Sequence, residues 1–335
     1  MTPYPPAPLA VSLGDPAGIG AEVLAKCWDN RGRFELPPFV AIGDPRAISA
    51  VWDGPLAIID DPQEADPAFD VGLPVIQLAA AEDDVLPGHP SVAGAHCSLD
   101  SLEIAVGLAR SGSAAGVVTG PVSKEQLYGI GFSHPGQTEF VAERCGVASS
   151  NVAMMLAGPT LRTVPVTTHL PLAKAIGALT TALIESRARA ALRGLQRNFG
   201  IEDPRLAVAA LNPHAGEGGA LGREEIEIIE PAIAALCAEG WRVTGPHPAD
   251  TMFHTSARAK YDAALCMYHD QALIPLKALH FEEGVNVTLG LPIVRTAPDH
   301  GTAFNIAGQD RADPRAMAAA IRLAAQCGAL RAPAT

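Results

Sequence analysis

Residues 206–214 read LAVAALNPH: an apolar run, a turn-forming Asn-Pro pair and a histidine. The same order of parts recurs in TVPVTTHLPL at 163–172 and in AALCMYHDQ at 263–271, which set His169 and His269 just past their own apolar runs. Runs this short, bounded by Gly, Pro or Asn, predict buried strands. Working outward, strands are expected at Leu9–Leu13, Phe39–Ile42, Ala115–Thr119, Thr163–Thr167, Leu206–Leu211 and Ala263–Met267. Helical patterns lie between them at Ala21–Trp28, Ser98–Arg110, Leu172–Phe199 and Arg223–Glu239. Strand–helix alternation of this kind specifies an α/β fold with a largely parallel sheet. Ligands of such sheets bind outside the carboxyl ends of the strands, so the loops there are the place to look for chemistry.

The chain has 335 residues, 48% of them hydrophobic and 18% charged. At about 150 residues per domain this length implies roughly two domains. One is expected to be discontinuous, 1–125 plus 280–335, and the other to be 126–279. With 24 basic and 36 acidic residues the net charge is -12, which argues against binding nucleic acid, because phosphate backbones require a basic face. No apolar run approaches the ~18 residues of a membrane span. The start, MTPYPPAPLAVSLGD, has neither a basic region nor an apolar core like a secretory signal. A cytoplasmic location is expected, and the six scattered cysteines read as reduced, mostly buried thiols.

Four loops carry chemistry. Gly14-Asp15-Pro16-Ala17-Gly18-Ile19-Gly20 joins a strand to a helix, where glycines let a ligand near the backbone and the helix start favours an anion. Thr119-Gly120-Pro121-Val122-Ser123-Lys124 follows another strand and leads to Ser133-His134-Pro135-Gly136-Gln137-Thr138-Glu139. There Lys124 reads either as a phosphate contact or as a solvated lysine at a helix start. The third loop set is that of His169, His214 and His269, all at strand exits and too far apart in sequence for a local zinc finger. Three imidazoles and an open position suit a catalytic divalent cation such as zinc, cobalt or manganese, if the fold assembles them. Last, Lys277, Asn286, Arg295, Asp299 and His300 crowd one glycine-rich stretch. A guanidinium fork and an ammonium on an acidic protein read as a small-anion pocket.

In order along the chain, GDPAGIG, GPVSK, GQTEF, TTHLPL, NPHAGEGGALGREE, MYHDQALIPLK, NVTLGLP and RTAPDHGTAF resemble the 4-hydroxythreonine-4-phosphate dehydrogenase family, from about Leu9 to Leu323. The resemblance implies two α/β/α domains of the isocitrate/isopropylmalate dehydrogenase type, with an active site in an interdomain cleft shared across a homodimer. The discontinuous domain would lie on the cofactor side; the other would carry the metal-ligand loops and dimer contacts. The implied reaction is oxidation of 4-phosphooxy-L-threonine by NAD or NADP, then decarboxylation to 3-amino-2-oxopropyl phosphate, in pyridoxal 5'-phosphate biosynthesis. One divalent cation (Zn, Mg or Co) would sit on His169, His214 and His269. Substrate contacts would fall on Gln137, Thr138, Lys277, Asn286 and Arg295, with Asp270 and Lys277 as candidate bases. Cofactor contacts would fall on Gly14, Asp15, Gly18, His300 and Asn305.

Two positions depart from the family pattern. Gln137 stands where His is usual, and an amide can donate a hydrogen bond but cannot titrate. Asn305 stands where the related HGSAPDIAG segment of isopropylmalate dehydrogenases has Asp. A competing expectation is an enzyme of the same build for another phosphorylated hydroxy acid, 4-phospho-D-threonate or phosphoerythronate. From a different class, a metal-free acyl-phosphate transferase would share the fold, but its chemistry gives three strand-exit histidines no work.

Overall fold

The computed structural model describes residues 7–78 and 85–331. Twelve strands run in chain order: β1 (Leu9–Ser12), β2 (Phe39–Gly43), β3 (Leu56–Ile58), β4 (Leu73–Gln77), β5 (Gly116–Thr119), β6 (Ala153–Ala157), β7 (Arg162–Pro165), β8 (Arg205–Ala209), β9 (Arg242–His247), β10 (Ala263–Cys266), β11 (Val285–Leu289) and β12 (Arg295–Pro298). The chain divides into two compact units, Met1–Gly146 with Pro292–Thr335, and Val147–Leu291. These seams differ from the expected 125 and 279. Residues 124–129 form a helix that packs on the long helix Val92–Ser111 of the first unit, and β11 pairs with β6 of the second.

In the first unit the strand order is β3-β4-β2-β1-β5-β12, parallel throughout. Parallel neighbours need crossovers, and helices Gly20–Asp29, Pro45–Ser49 and Val92–Ser111 lie between successive strands. Strands β1, β2 and β5 are buried along their whole length, as covering on both faces requires.

The second unit has the order β11-β6-β7-β10-β8-β9. Strands β7, β10, β8 and β9 are parallel, whereas β6 is antiparallel to both β11 and β7. Its core gathers Leu156, Ala207, Ala264, Cys266 and Leu276.

Two expected helices are each divided. Leu172–Phe199 breaks into Leu172–Ala178 and Thr181–Phe199, because Leu179 and Thr180 are extended and the Thr180 hydroxyl accepts from the Leu183 N–H at 3.1 Å. That is an N-cap, and it starts a new helix. Arg223–Glu239 becomes a wide π turn at Glu225–Ile229 followed by Glu230–Ala238. Pro231 has no N–H for a regular bond there, and the wider turn absorbs the loss. Cys27, Cys266 and Cys327 are buried, Cys97 and Cys145 half-buried, and Cys237 exposed. No helix among the described residues is long and apolar enough to cross a membrane.

Candidate active site

In the second unit β7, β10 and β8 are adjacent and parallel. Their carboxyl ends release His169, His269 and His214 after four, three and five residues respectively. Neighbouring strands lie about 4.8 Å apart, so the topology draws three imidazoles distant in sequence to one edge. The His169 and His269 rings stand 5.7 Å apart, centre to centre. Two imidazoles that share one tetrahedral cation at about 2.0–2.1 Å have centres roughly 5–6 Å apart, so this pair fits a common ion. Among the described residues no group of three or more His, Cys, Asp or Glu is gathered as a finished cage. The structure therefore brings His169 and His269 together, whereas His214 leaves the neighbouring strand exit without being gathered into a group with them.

Backbone conformation singles out the same loops. His169 has φ 53° and His214 φ 51°, the left-handed region that non-glycine residues avoid. From His214 to Gly218 every φ is positive, a continuous left-handed turn. Gly216, at φ 77°, is required there, since a Cβ would come within 2.6 Å of a Glu225 carboxylate oxygen. His269 opens the helix His269–His280, and its Nδ1 pairs with the Asp270 carboxylate at 2.7 Å. That contact leaves Nε2 as the nitrogen that can face a cation, an arrangement common among metal-binding histidines. Lys277 lies further along this helix, half-buried, its Nζ 5.9 Å from the centre of the Phe281 ring. Asn286, in β11, holds its Oδ1 shut off from solvent with no hydrogen-bond donor among the described residues. A buried acceptor without a donor costs free energy until one is supplied.

The expected anion pocket of the first unit rests on Arg295, the first residue of β12, which is 4% exposed. Its Nη2 donates to Thr119 Oγ1 at 2.7 Å and to Gln137 Oε1 at 3.3 Å, and its Nη1 lies 3.5 Å from Thr138 Oγ1. Gln137 Nε2 donates to the Gly120 carbonyl at 3.1 Å, which fixes the amide with its oxygen toward the guanidinium. Burial pulls the Arg295 pKa down to about 10, against the pull of nearby Glu139. The group thus stays cationic near neutrality. Gln137 and Thr138 are the first residues of the helix Gln137–Arg144, whose leading N–H groups add positive potential. Fork, hydroxyl and helix start together suit a phosphate. Thr119 and Glu139 were not expected among the site residues, and the quoted loops around them were the only signal. Lys124 is exposed at the start of its helix, where Ser123 supplies the cap, so the solvated reading holds for it.

The expected cofactor loops also meet. The Ile19 N–H donates to the Thr302 carbonyl at 3.0 Å, which sets the Gly14–Gly20 loop beside the His300–Asn305 segment. The glycines serve a different purpose from the expected one. A Cβ on Gly14 would lie 2.2 Å from the Pro121 carbonyl oxygen, so its bareness accommodates protein backbone rather than a ligand. Asp15 is buried, and its carboxylate accepts from the Ala17 N–H at 3.1 Å; burial still raises its pKa. His300 is held below the usual imidazole range by burial. Asn305 is exposed in the short turn Phe304–Ile306.

An all-parallel unit with a buried guanidinium, and a second unit with imidazoles at adjacent strand exits, are what an α/β enzyme of this build presents. The family model described as pyridoxal phosphate biosynthetic protein PdxA matches residues 35–324. The 4-hydroxythreonine-4-phosphate dehydrogenase of Zymomonas mobilis is 55% identical over 95% of this chain and 95% of its own. That of Erythrobacter litoralis is 54% identical over 98% and 99%. The crystal structure of the Klebsiella pneumoniae 4-hydroxythreonine-4-phosphate dehydrogenase superposes with a TM-score of 0.87 at 38% identity, covering 96% of this chain and 99% of that one. The chain belongs to the PdxA family, the 4-hydroxythreonine-4-phosphate dehydrogenases of pyridoxal phosphate biosynthesis.

Proposed function

We propose that the chain oxidises 4-phosphooxy-L-threonine at C3 with NAD or NADP and releases CO2 to leave 3-amino-2-oxopropyl phosphate, a step of pyridoxal 5'-phosphate biosynthesis in the cytoplasm. The observation that carries the reading is the release of His169, His269 and His214 from three adjacent parallel strands. When bound by these imidazoles, one divalent cation (Zn, Mg or Co) supplies a Lewis acid that lowers the pKa of the substrate hydroxyl and draws charge from the ketone that replaces it. Arg295, Thr138 and the helix start at Gln137 hold the phosphate, and Lys277 and Asn286 take further substrate oxygens. Asp270 or Lys277 accepts the hydroxyl proton. Bound NAD or NADP would take the hydride of C3; loss of the carboxylate as CO2 would leave C2 to take up a proton.

The cofactor lies on the loops of Gly14, Asp15, Gly18, His300 and Asn305. An uncharged Asn305 does not repel a 2'-phosphate, which supports use of both NAD and NADP. The partner is a second copy of the chain that shares the active site. Leu172, Ile176, Ile274 and Phe281, on two helices of the second unit and just beyond, leave 57%, 42%, 64% and 76% of their surface exposed, apolar surface of the kind a homodimer would cover.

The test is NAD(P)H formation from 4-phosphooxy-L-threonine, with and without a chelator, beside 4-phospho-D-threonate and phosphoerythronate. Turnover of the first, abolished by chelator and restored by Co2+, Zn2+ or Mg2+, is expected. Turnover indifferent to chelator, or faster on either rival substrate, would overturn the reading.

A further inference from the structure

Three of the buried polar side chains of the second unit bond to the histidine loops although none of them is an expected ligand: Thr167 (4% exposed), Gln271 (8%) and Glu225 (1%). Burial of such groups costs free energy unless their hydrogen bonds are made. Each makes them to the backbone of a histidine-bearing loop. The Thr167 hydroxyl donates to the Met267 carbonyl at 2.9 Å. Gln271 Oε1 accepts from the Met267 N–H at 2.6 Å, and its Nε2 donates to the Ala210 carbonyl at 2.7 Å. Glu225 Oε1 accepts from the N–H groups of Leu211 and Asn212 at 2.9 and 2.8 Å, and its Oε2 accepts from Asn212 Nδ2 at 2.9 Å.

Followed from one end, these bonds run from the exit of β7 to that of β10, then to that of β8, and stop at Asn212, two residues before the left-handed turn begins. The residues they grip, Thr167, Met267 and Asn212, each stand two positions before a histidine: His169, His269 and His214. Left-handed backbone at His169 and His214 costs about 1–2 kcal/mol per residue, and it persists only where the surroundings over-determine it. The belt supplies that constraint.

We infer that Thr167, Gln271 and Glu225 are positioning residues that set the spacing of the three histidine loops and hence the affinity of the cation site. The inference rests on the proposed reading of His169, His214 and His269 as one site. Its chemistry is that of an outer layer of hydrogen bonds, whose loss typically weakens metal binding by about 10–100-fold.

The experiment titrates metal-free protein with Co2+, followed by visible absorption and calorimetry, in wild type, His269→Ala, Gln271→Leu and Thr167→Val. Gln271→Leu removes both amide bonds at similar volume. Thr167→Val keeps the shape of the side chain and provides the measurement if the former fails to fold. Expected is a Kd about 10–100-fold weaker for Gln271→Leu and several-fold weaker for Thr167→Val. The rise in melting temperature on adding Co2+ should shrink in step, which a general loss of stability would not produce. Variants that bind Co2+ with the affinity and spectrum of wild type, while His269→Ala does not, would overturn the belt and leave the metal site standing. Failure of wild type itself to bind Co2+ would instead bring down the metal reading, and the belt's role with it.

Discussion

The two units hold the residues of their proposed sites in opposite ways. In the first, Arg295 is already buried and braced by Thr119, Gln137 and Thr138, so the desolvation of its charge is met in the folded protein before any phosphate arrives. In the second, the His169 and His214 residues are exposed, with strained backbone beneath them, and the constraint lies one layer down in the belt. A cationic pocket must be rigid to discriminate among anions, because a mobile guanidinium would relax onto its own neighbours. Imidazoles exchanging water for a cation gain from remaining accessible while the strand ends fix where they emerge. The lesson is that preorganisation here means a buried charge on one side and a buried scaffold on the other.

The contrast breaks most visibly if the imidazoles prove dispensable. His269→Ala should lower kcat on the order of 10³-fold, since a Lewis acid contributes several kcal/mol to the transition state. Steady-state NAD(P)H formation at saturating metal measures it, and a loss confined to KM would contradict the role given to the second unit.

A smaller effect is expected from Arg295→Lys. An ammonium cannot reach Thr119, Gln137 and a phosphate together, so the bidentate fork is lost. kcat/KM should fall by roughly 10–100-fold, about 1.4–2.8 kcal/mol, mostly through KM. An unchanged kcat/KM would remove the phosphate from this pocket.

The smallest effect sharpens the comparison through stability. Burial raises the pKa of Asp15 in the folded chain, so the folded state holds its proton more tightly than the unfolded chain does. Its contribution to stability is therefore greatest below the unfolded pKa and is lost as pH rises through the folded one. Asp15→Asn keeps the acceptor for the Ala17 N–H and removes the charge. The variant should gain on wild type in urea unfolding as pH is raised from the acid range to neutrality. A difference independent of pH would show that the carboxylate is not held at a cost.

The central strands were readable because β1, β2, β5, β7, β8 and β10 are apolar and buried on both faces. Four of the other six hide for identifiable reasons. β3 is a three-residue edge, β4 is exposed at its carboxyl end, and β9 is partly exposed and contains Gly245-Pro246. β12 begins on a charged residue whose burial is explained only by the pocket it serves. The histidines were legible because strand exits recur in the sequence. Gln271, Glu225 and Thr167 were not, for a polar residue on a buried face has the same letter as one in solvent. Only the contacts, 61 residues apart for Gln271 and Ala210, tell them apart.

The division of the chain has a consequence for the order of assembly during synthesis. The second unit is one continuous segment, Val147–Leu291, and can close as soon as that segment has left the ribosome. The first cannot, because β5 has β1 on one side and waits for β12, made more than 170 residues later, on the other. Until then one edge of a parallel sheet remains unpaired, an exposed template for other chains. Arg295 travels on that last strand, so the guanidinium meets Thr119 only when the edge is sealed. A nascent chain stalled before residue 292 would contain every strand of the second unit and lack Arg295 altogether.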